Sequence, residues 1–166
     1  VSSWEFENGM GEIQLSNSTY IAKVIAGNGV RGFCGDGGDA KNACLNYPHD
    51  IEVDSSGNLY ISDINNYRIS KVDVNGTIKT IAGSGIDDVC GIGGDAKNAC
   101  IGYTKSIAFD SSENLYSIDI HSDNIYKIDK NRTITSIKTN KKDPFFVDVD
   151  NLGNLYITYL EGYVRK

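Results

Sequence analysis

Ile51-Glu-Val-Asp-Ser-Ser-Gly-Asn-Leu-Tyr60 returns as Ile107-Ala-Phe-Asp-Ser-Ser-Glu-Asn-Leu-Tyr116 and again as Val147-Asp-Val-Asp-Asn-Leu-Gly-Asn-Leu-Tyr156. In each copy an apolar and polar alternation runs up to an Asp, a short polar stretch follows, and alternation resumes at Leu-Tyr. Alternation at a period of two marks strands, and the small polar interval marks a turn. The decapeptide is thus a hairpin made three times. A unit that recurs cannot bury its apolar faces alone, so neighbouring copies must stack to form a core.

Outward from the hairpin, the best-formed unit reads as four strands, roughly His49 to Asp54, Asn58 to Asp63, Arg68 to Asp73 and Thr77 to Ala82. Turns fall at Ser55-Ser-Gly57, Asn65-Asn66 and Asn75-Gly76, where Gly and Asn accept positive φ. The next unit matches at Thr104 to Asp110, Asn114 to Asp119, Asn124 to Asp129 and Thr133 to Ile137. The third begins with Phe145 to Asp150 and Asn154 to Tyr159 and enters another strand at Gly162 to Lys166. Before the first full unit, Glu12 to Ser16 and Tyr20 to Ala26 read as the last two strands of an earlier one, and Trp4 to Glu7 as a further strand.

The spacing separates two kinds of repeat. The first two hairpins lie 56 residues apart (51 to 107) and the next two only 40 (107 to 147). Forty residues suit one four-stranded blade. The additional 16 belong to a Gly-rich insert that occurs twice, ending Gly37-Gly-Asp-Ala-Lys-Asn-Ala-Cys44 and Gly93-Gly-Asp-Ala-Lys-Asn-Ala-Cys100, with Ala-Lys-Asn-Ala suited to one helical turn. The expected fold is all-β: a single repeat domain of β-propeller blades, each a four-stranded antiparallel sheet packed on its neighbours around a channel. Residues 1–26 would be the last strands of a preceding blade, 27–82 an insert with blade 1, 83–138 an insert with blade 2, and 139–166 a partial blade 3.

Cys34 and Cys44 enclose nine residues, as do Cys90 and Cys100. Four cysteines allow three pairings. The two local ones are expected, because a duplicated loop should carry its own staple, and each is worth about 3 kcal/mol in the loop-entropy model. A metal site is the competing reading, but neither pair has Cys-x-x-Cys spacing or a second ligand pair nearby. Three N-x-[ST] acceptors, at Asn17, Asn75 and Asn131, point to N-linked glycans. Asn75 and Asn131 occupy the same place in consecutive units, although Asn-Gly also suits any hairpin turn. Paired cysteines and sequons together imply a secreted glycoprotein.

The 166 residues carry a formal charge of -6, with scattered Lys and Arg, which argues against nucleic acid as a partner. No apolar run approaches the roughly 20 residues that cross a bilayer, so no membrane contact is expected. The N-terminal Val1-Ser-Ser-Trp4 has no basic or apolar leader, and any signal peptide is expected to have been removed.

Leu45-Asn-Tyr-Pro-His-Asp-Ile-Glu-Val-Asp-Ser-Ser-Gly-Asn-Leu-Tyr-Ile-Ser-Asp63, with Asn66-Tyr-Arg-Ile-Ser-Lys-Val-Asp73 and Gly76-Thr-Ile-Lys-Thr-Ile-Ala-Gly83, resembles an NHL repeat. The Gly-Asp-Gly-Gly-Asp-Ala segment is similar to the Gly-rich insert of many bacterial and protist NHL propellers. The likeness spans nearly everything from Glu12 onward. It is weaker later, where Glu113 replaces the turn Gly, Tyr159 the strand-end Asp, and Ser122-Asp-Asn-Ile stands where Asn-x-Arg-Ile is usual. Family propellers usually have six blades, so the resemblance implies about half a ring. The open faces are then covered by more of the same polypeptide, by a second copy closing a ring, or by copies joined end to end into a filament.

Some NHL propellers are enzymes. Peptidyl-hydroxyglycine lyases place metal-binding His residues at the start of first strands, and Tyr47-Pro-His49 sits at such a place. The equivalent positions here are Lys105 and Phe145, and His121 lies in a different connection, so three zinc ligands do not assemble. Catalysis is not expected, and His49 reads as a rim residue. Asp36, Asp39, Asp87, Asp88 and Asp95 are the oxygens a structural calcium would use, but no EF-hand spacing accompanies them and Asp beside Gly is ordinary turn chemistry. No other cofactor is implied. Tyr60, Tyr116 and Tyr156 read as packing between blades. The sequence therefore favours an extracellular, non-catalytic scaffold or protein-binding module. The alternative is a fragment of a propeller lyase or hydrolase whose active site lies in other blades, and RNA binding, known for tripartite-motif NHL proteins, fits the acidic balance poorly.

Overall fold

The computed structural model describes residues 11–15, 18–139 and 141–166, with side chains from residue 22 onward. The expected strand at Trp4 to Glu7 and the Asn17 acceptor lie outside the described residues. The chain opens with a hairpin of β1 (Gly11–Leu15) and β2 (Ser18–Ala22). The first full unit folds as β3 (Pro48–Val53), β4 (Leu59–Asp63), β5 (Arg68–Val72) and β6 (Ile78–Ala82), four antiparallel strands in sequence order. Within the second insert, β7 (Val89–Cys90) pairs with β8 (Cys100–Ile101). The second unit gives β9 (Thr104–Phe109), β10 (Leu115–Asp119), β11 (Asn124–Ile128) and β12 (Ile134–Lys138), again antiparallel in order. The third is a sheet of β13 (Pro144–Val149), β14 (Leu155–Tyr159) and β15 (Tyr163–Arg165).

One strand is shorter than its sequence suggests. Tyr20 to Ala26 is apolar but for Lys23, yet β2 stops at Ala22, paired with Gly11 of β1. A strand needs a neighbour as well as a pattern. Among the described residues, the next backbone bonds beyond Ala22 are those of the Gly27 and Asn28 N–H groups to the carbonyls of Ala40 and Ala43.

The recurring Asp explains why each hairpin turns where it does. Asp54 Oδ1 accepts from the backbone N–H of Ser56 and Asn58, and Asp110 and Asp150 repeat the arrangement with Ser112 and Asn114 and with Leu152 and Asn154. Such Asx capping satisfies N–H groups that a tight turn leaves without partners. The second turn departs from the repeat at Glu113, which adopts the left-handed φ of 62° that Gly57 takes at 83° in the first.

Stacking supplies the core. Each sheet presents a leading face to the unit before it and a trailing face to the unit after it. Ile69 and Ala82, with partly buried Tyr60, meet Ile107, Leu115, Tyr126, Ile128 and Ile134 of the next unit. Ala108, Tyr116, Ile118 and Ile125 in turn meet Val147, with Val149, Leu155 and Ile157 packed alongside. Polar links cross the same junctions near the inner strands. The Ile107 N–H donates to Asp50 Oδ2 at 2.9 Å, the Ser62 hydroxyl donates to the Thr104 carbonyl, and Ser106 Oγ pairs with Val147 at 3.3 Å.

Candidate binding surface

The repeated inserts are straps along the outer edges of the blades. In the first, the N–H groups of Gly37 and Ala40 donate to the carbonyls of Ile78 and Gly76, and Ile78 N–H donates back to Gly38. Asp36 Oδ1 also accepts from Thr80 N–H at 2.6 Å. The second insert repeats this on β12, through Gly93 to Ile134, Ala96 to Arg132, and Ile134 to Gly94. An outermost strand would otherwise offer a row of unpaired backbone groups to any passing chain.

The straps also join neighbours. Gly83 and Ser84, just past β6, donate to the carbonyls of Ala96 and Ala99 in the second insert, while Ala96, Ala99 and Ile101 lie fully buried in the core between the first and second units. Ala40 and Ala43 play the same part against Ile61, Val72 and Ile78. The Ala-Lys-Asn-Ala segments form single 3₁₀ turns at Ala40–Asn42 and Ala96–Asn98, started by the side chains of Asp39 and Asp95. Each strap is closed by its own disulfide, Cys34 with Cys44 and Cys90 with Cys100. No insert separates the second and third units. The strap role escaped sequence reading, although the identical Gly-Gly-Asp-Ala core of both loops signals a common docking partner.

Asn75 and Asn131 sit at the exposed tips of the β5–β6 and β11–β12 hairpins. Their N–H groups donate to Asp73 and Asp129, so both side chains project from the same kind of turn. On this side a cleft of about 380 Å³ opens between the first and second units, lined among others by Asp54, Tyr60, Lys71, Glu113 and Arg132.

Tyr60, Tyr116 and Tyr156 do more than fill space. Each hydroxyl donates to the Oδ2 of its hairpin Asp, at 3.2 Å, 3.2 Å and 3.1 Å, and the Asn two residues before each Tyr donates to the same carboxylate. Burial acts to raise the Asp54 carboxyl, but hydrogen bonds from Asn58 and from Lys71, whose ammonium is 3.3 Å away, outweigh it and bring it down to about 2. The Asn154 side chain and backbone hold Asp150 at about 2 as well. The Asp-x-x-x-Asn-x-Tyr spacing, present in all three units, was the available signal. Tyr60 meets Phe109 edge-on at 4.8 Å and Tyr116 is buried, while Tyr156, on the last described sheet, is 36 % exposed.

The first-strand residues His49, Lys105 and Phe145 do gather, as an aromatic and cationic group. The Lys105 ammonium lies 3.1 Å from the Phe145 ring centroid, and burial lowers its pKa. His49 approaches Phe146 at 6.0 Å. His121 lies elsewhere, its ring tilted over Tyr103 at 3.9 Å between centroids, with Asp87 at 4.0 Å. Asp36 lies 3.6 Å from Lys97 and Asp95 3.4 Å from Arg132, while Asp88 accepts from Val89 N–H. These partners account for the acidic residues as caps and ion pairs. Among the described residues, no three His, Cys, Asp or Glu side chains converge as metal ligands.

A family model described as the Teneurin NHL domain matches residues 14–87. Teneurin-1 of Gallus gallus is 43 % identical over 67 residues, which cover 37 % of this chain and 2 % of that protein. Teneurin-1 of Homo sapiens is 32 % identical over 127 residues, covering 69 % and 4 %. The chain therefore spans only a few per cent of these relatives' length. Among solved structures, a streptogramin B lyase superimposes with a TM-score of 0.52 at 14 % identity, over 98 % of this chain and 49 % of its own. A catalytically inactive virginiamycin B lyase from Staphylococcus aureus with quinupristin gives 0.58 at 15 % identity, over 95 % and 62 %. At such identities the likeness concerns the fold alone. The stacked antiparallel sheets are blades of a β-propeller. Within that class, the chain belongs to the NHL-repeat family.

Proposed function

We propose that this chain is an extracellular, non-catalytic propeller module that presents its stapled straps and hairpin tips for protein recognition and carries N-linked glycans on Asn75 and Asn131. The observation that carries this reading is the repetition itself. Two disulfides close two equivalent straps, and two sequons occupy two equivalent exposed turns. Disulfides persist in oxidising compartments, and a rigid frame with displayed loops is the usual build of a recognition surface. The match to a teneurin NHL domain supports a module within a larger protein. The lyases with this fold keep an enzymatic fragment as the alternative reading.

Secretion from a eukaryotic host followed by peptide mass mapping tests the proposal. The expected result is glycan on Asn75 and Asn131 with all four cysteines paired. Free thiols and unmodified sequons on secreted material would reject it, and stoichiometric zinc with lyase turnover would favour the enzyme.

A further inference from the structure

The two straps share a stem and differ at the tip. Gly29-Val-Arg-Gly-Phe-Cys34 stands 56 residues before Gly85-Ile-Asp-Asp-Val-Cys90, so Arg31 corresponds to Asp87, and Tyr47, just past the first strap, to Tyr103. In the first strap the Arg31 guanidinium lies over the Tyr47 ring, 4.8 Å from its centroid. In the second the tyrosine is kept, while the arginine gives way to a carboxylate with Asp88 beside it. This second tip stands between two complete four-stranded sheets, yet Ile86 and Val89 are 57 % and 39 % exposed. Beside it, Tyr103 meets Tyr67 of the first unit edge-on at 5.0 Å with the hydroxyls 3.2 Å apart, and His121 tilts over the Tyr103 ring. The hydroxyl bond to Tyr103 chiefly, with burial and the Asp87 charge adding to it, pushes Tyr67 up to about 12. Asp87 therefore faces an aromatic wall built by both units.

We propose that the second strap tip receives an arginine side chain of a partner protein, whose guanidinium takes against Tyr103, Tyr67 and Asp87 the place that Arg31 takes on Tyr47. The inference rests on the recognition module proposed above and names the chemistry of its partner. The chain itself shows the occupant, because it lays a guanidinium on the corresponding ring of the first strap. Aromatic faces joined to carboxylates select a flat, weakly hydrated cation, which favours arginine over lysine. The local charge also asks for one. Among the described residues, His121 is the only basic side chain within 4.0 Å of the Asp87 carboxylate, and Asp88 has none. Arg68 is engaged already, by the carbonyls of Gly83 and Ser84 and by the Phe33 ring. Ile86 and Val89 flank the two acids and suit apolar residues on either side of the partner's arginine. The tip is held by the Cys90–Cys100 bridge and the β7–β8 pair, so binding orders little that is not ordered beforehand.

Two-dimensional NMR of residues 1–166, titrated with the capped peptide acetyl-Leu-Arg-Leu-amide, tests the slot. Saturable shifts are expected at Tyr67, Ile86, Asp87, Asp88 and Tyr103, weakening as salt is added. The same peptide with citrulline for arginine keeps the shape without the charge and should not bind. Asp88→Asn should weaken binding about fivefold, the loss of one exposed charge pair. Asp87→Arg should abolish it, because the chain then fills the slot itself as it does over Tyr47. Asp87 and Asp88 are both exposed, so either variant should keep the fold and its dispersed spectrum. Leu152→Ser, on an exposed turn of the third unit, should bind as the parent does. Equal binding of the two peptides, shifts confined to other regions, or undiminished binding by Asp87→Arg overturns the slot. A glycosylated chain that ignores the arginine peptide overturns the slot alone, whereas bare sequons beside a working slot count against the compartment alone.

Discussion

Ile51 and Ile107 hold the same place in consecutive units, but 61 % of Ile51 is exposed against 2 % of Ile107. Their strands, hairpins and capping Asp residues are alike. The difference is the neighbour: Ile107 lies under the trailing face of the first sheet, and Ile51 faces outward ahead of it. In a repeat array, burial belongs to the junction and not to the unit. Tyr116 and Tyr156 teach the same at the other end, at 6 % and 36 % exposure.

That contrast can be broken most sharply by truncating both residues. Ile107→Ala should lower the free energy of unfolding by about 2–4 kcal/mol, the cost of a cavity in a packed core. Ile51→Ala, at a side chain 61 % exposed, should change urea unfolding by less than about 1 kcal/mol. Equal losses at both positions would show that they do not differ. Next in size come the staples. Replacing Cys90 and Cys100 by Ala should cost about 3 kcal/mol, since that strap is locked between two described sheets. Replacing Cys34 and Cys44 should cost less, because the first strap lies against a single complete sheet, and thermal melts of the two double variants would rank them.

Acid sharpens the comparison further. Asp54 and Asp150 are both brought from 3.8 to about 2, one beside a sheet junction and one on the open third unit. A carboxyl depressed on folding stabilises fully above its unfolded value and loses that contribution as pH falls through the folded one. Melting temperature should therefore hold above pH 4 and fall between about pH 4 and 2. Asp54→Ala and Asp150→Ala should each flatten that limb, and an unchanged acid limb in both would contradict the shared capping role. The smallest effect is expected at Glu113→Gly, which relieves a left-handed φ worth about 1 kcal/mol or less but loses the Ser55 hydroxyl bond to Glu113. A slight rise in the urea midpoint is the expected result.

Most of the sheet structure was legible because the period-two alternation at Ile51, Ile107 and Val147 reports on strands whatever surrounds them. Turns were equally plain from Asp, Asn and Gly. What could not be read was anything set between units. The extent of β2 depends on a partner strand, the fate of Ile51 on a preceding sheet, and the straps on hydrogen bonds from Gly37 to Ile78, 41 residues onward. Of the candidate surface, the paired cysteines were foreseen, while the Tyr hydroxyl bonds and the aromatic setting of Lys105 needed coordinates.

The missing third strap has a mechanical consequence. Between the first and second sheets a covalently closed clasp grips both rims, whereas the second and third, among the described residues, meet through side chains, a few inner-strand bonds and the bonds of Ser111 to Asn151 and of Asp143 to Asp123. Pulled from its ends, the molecule should yield at that unclasped seam, making it the pliant point of an otherwise stiff arc.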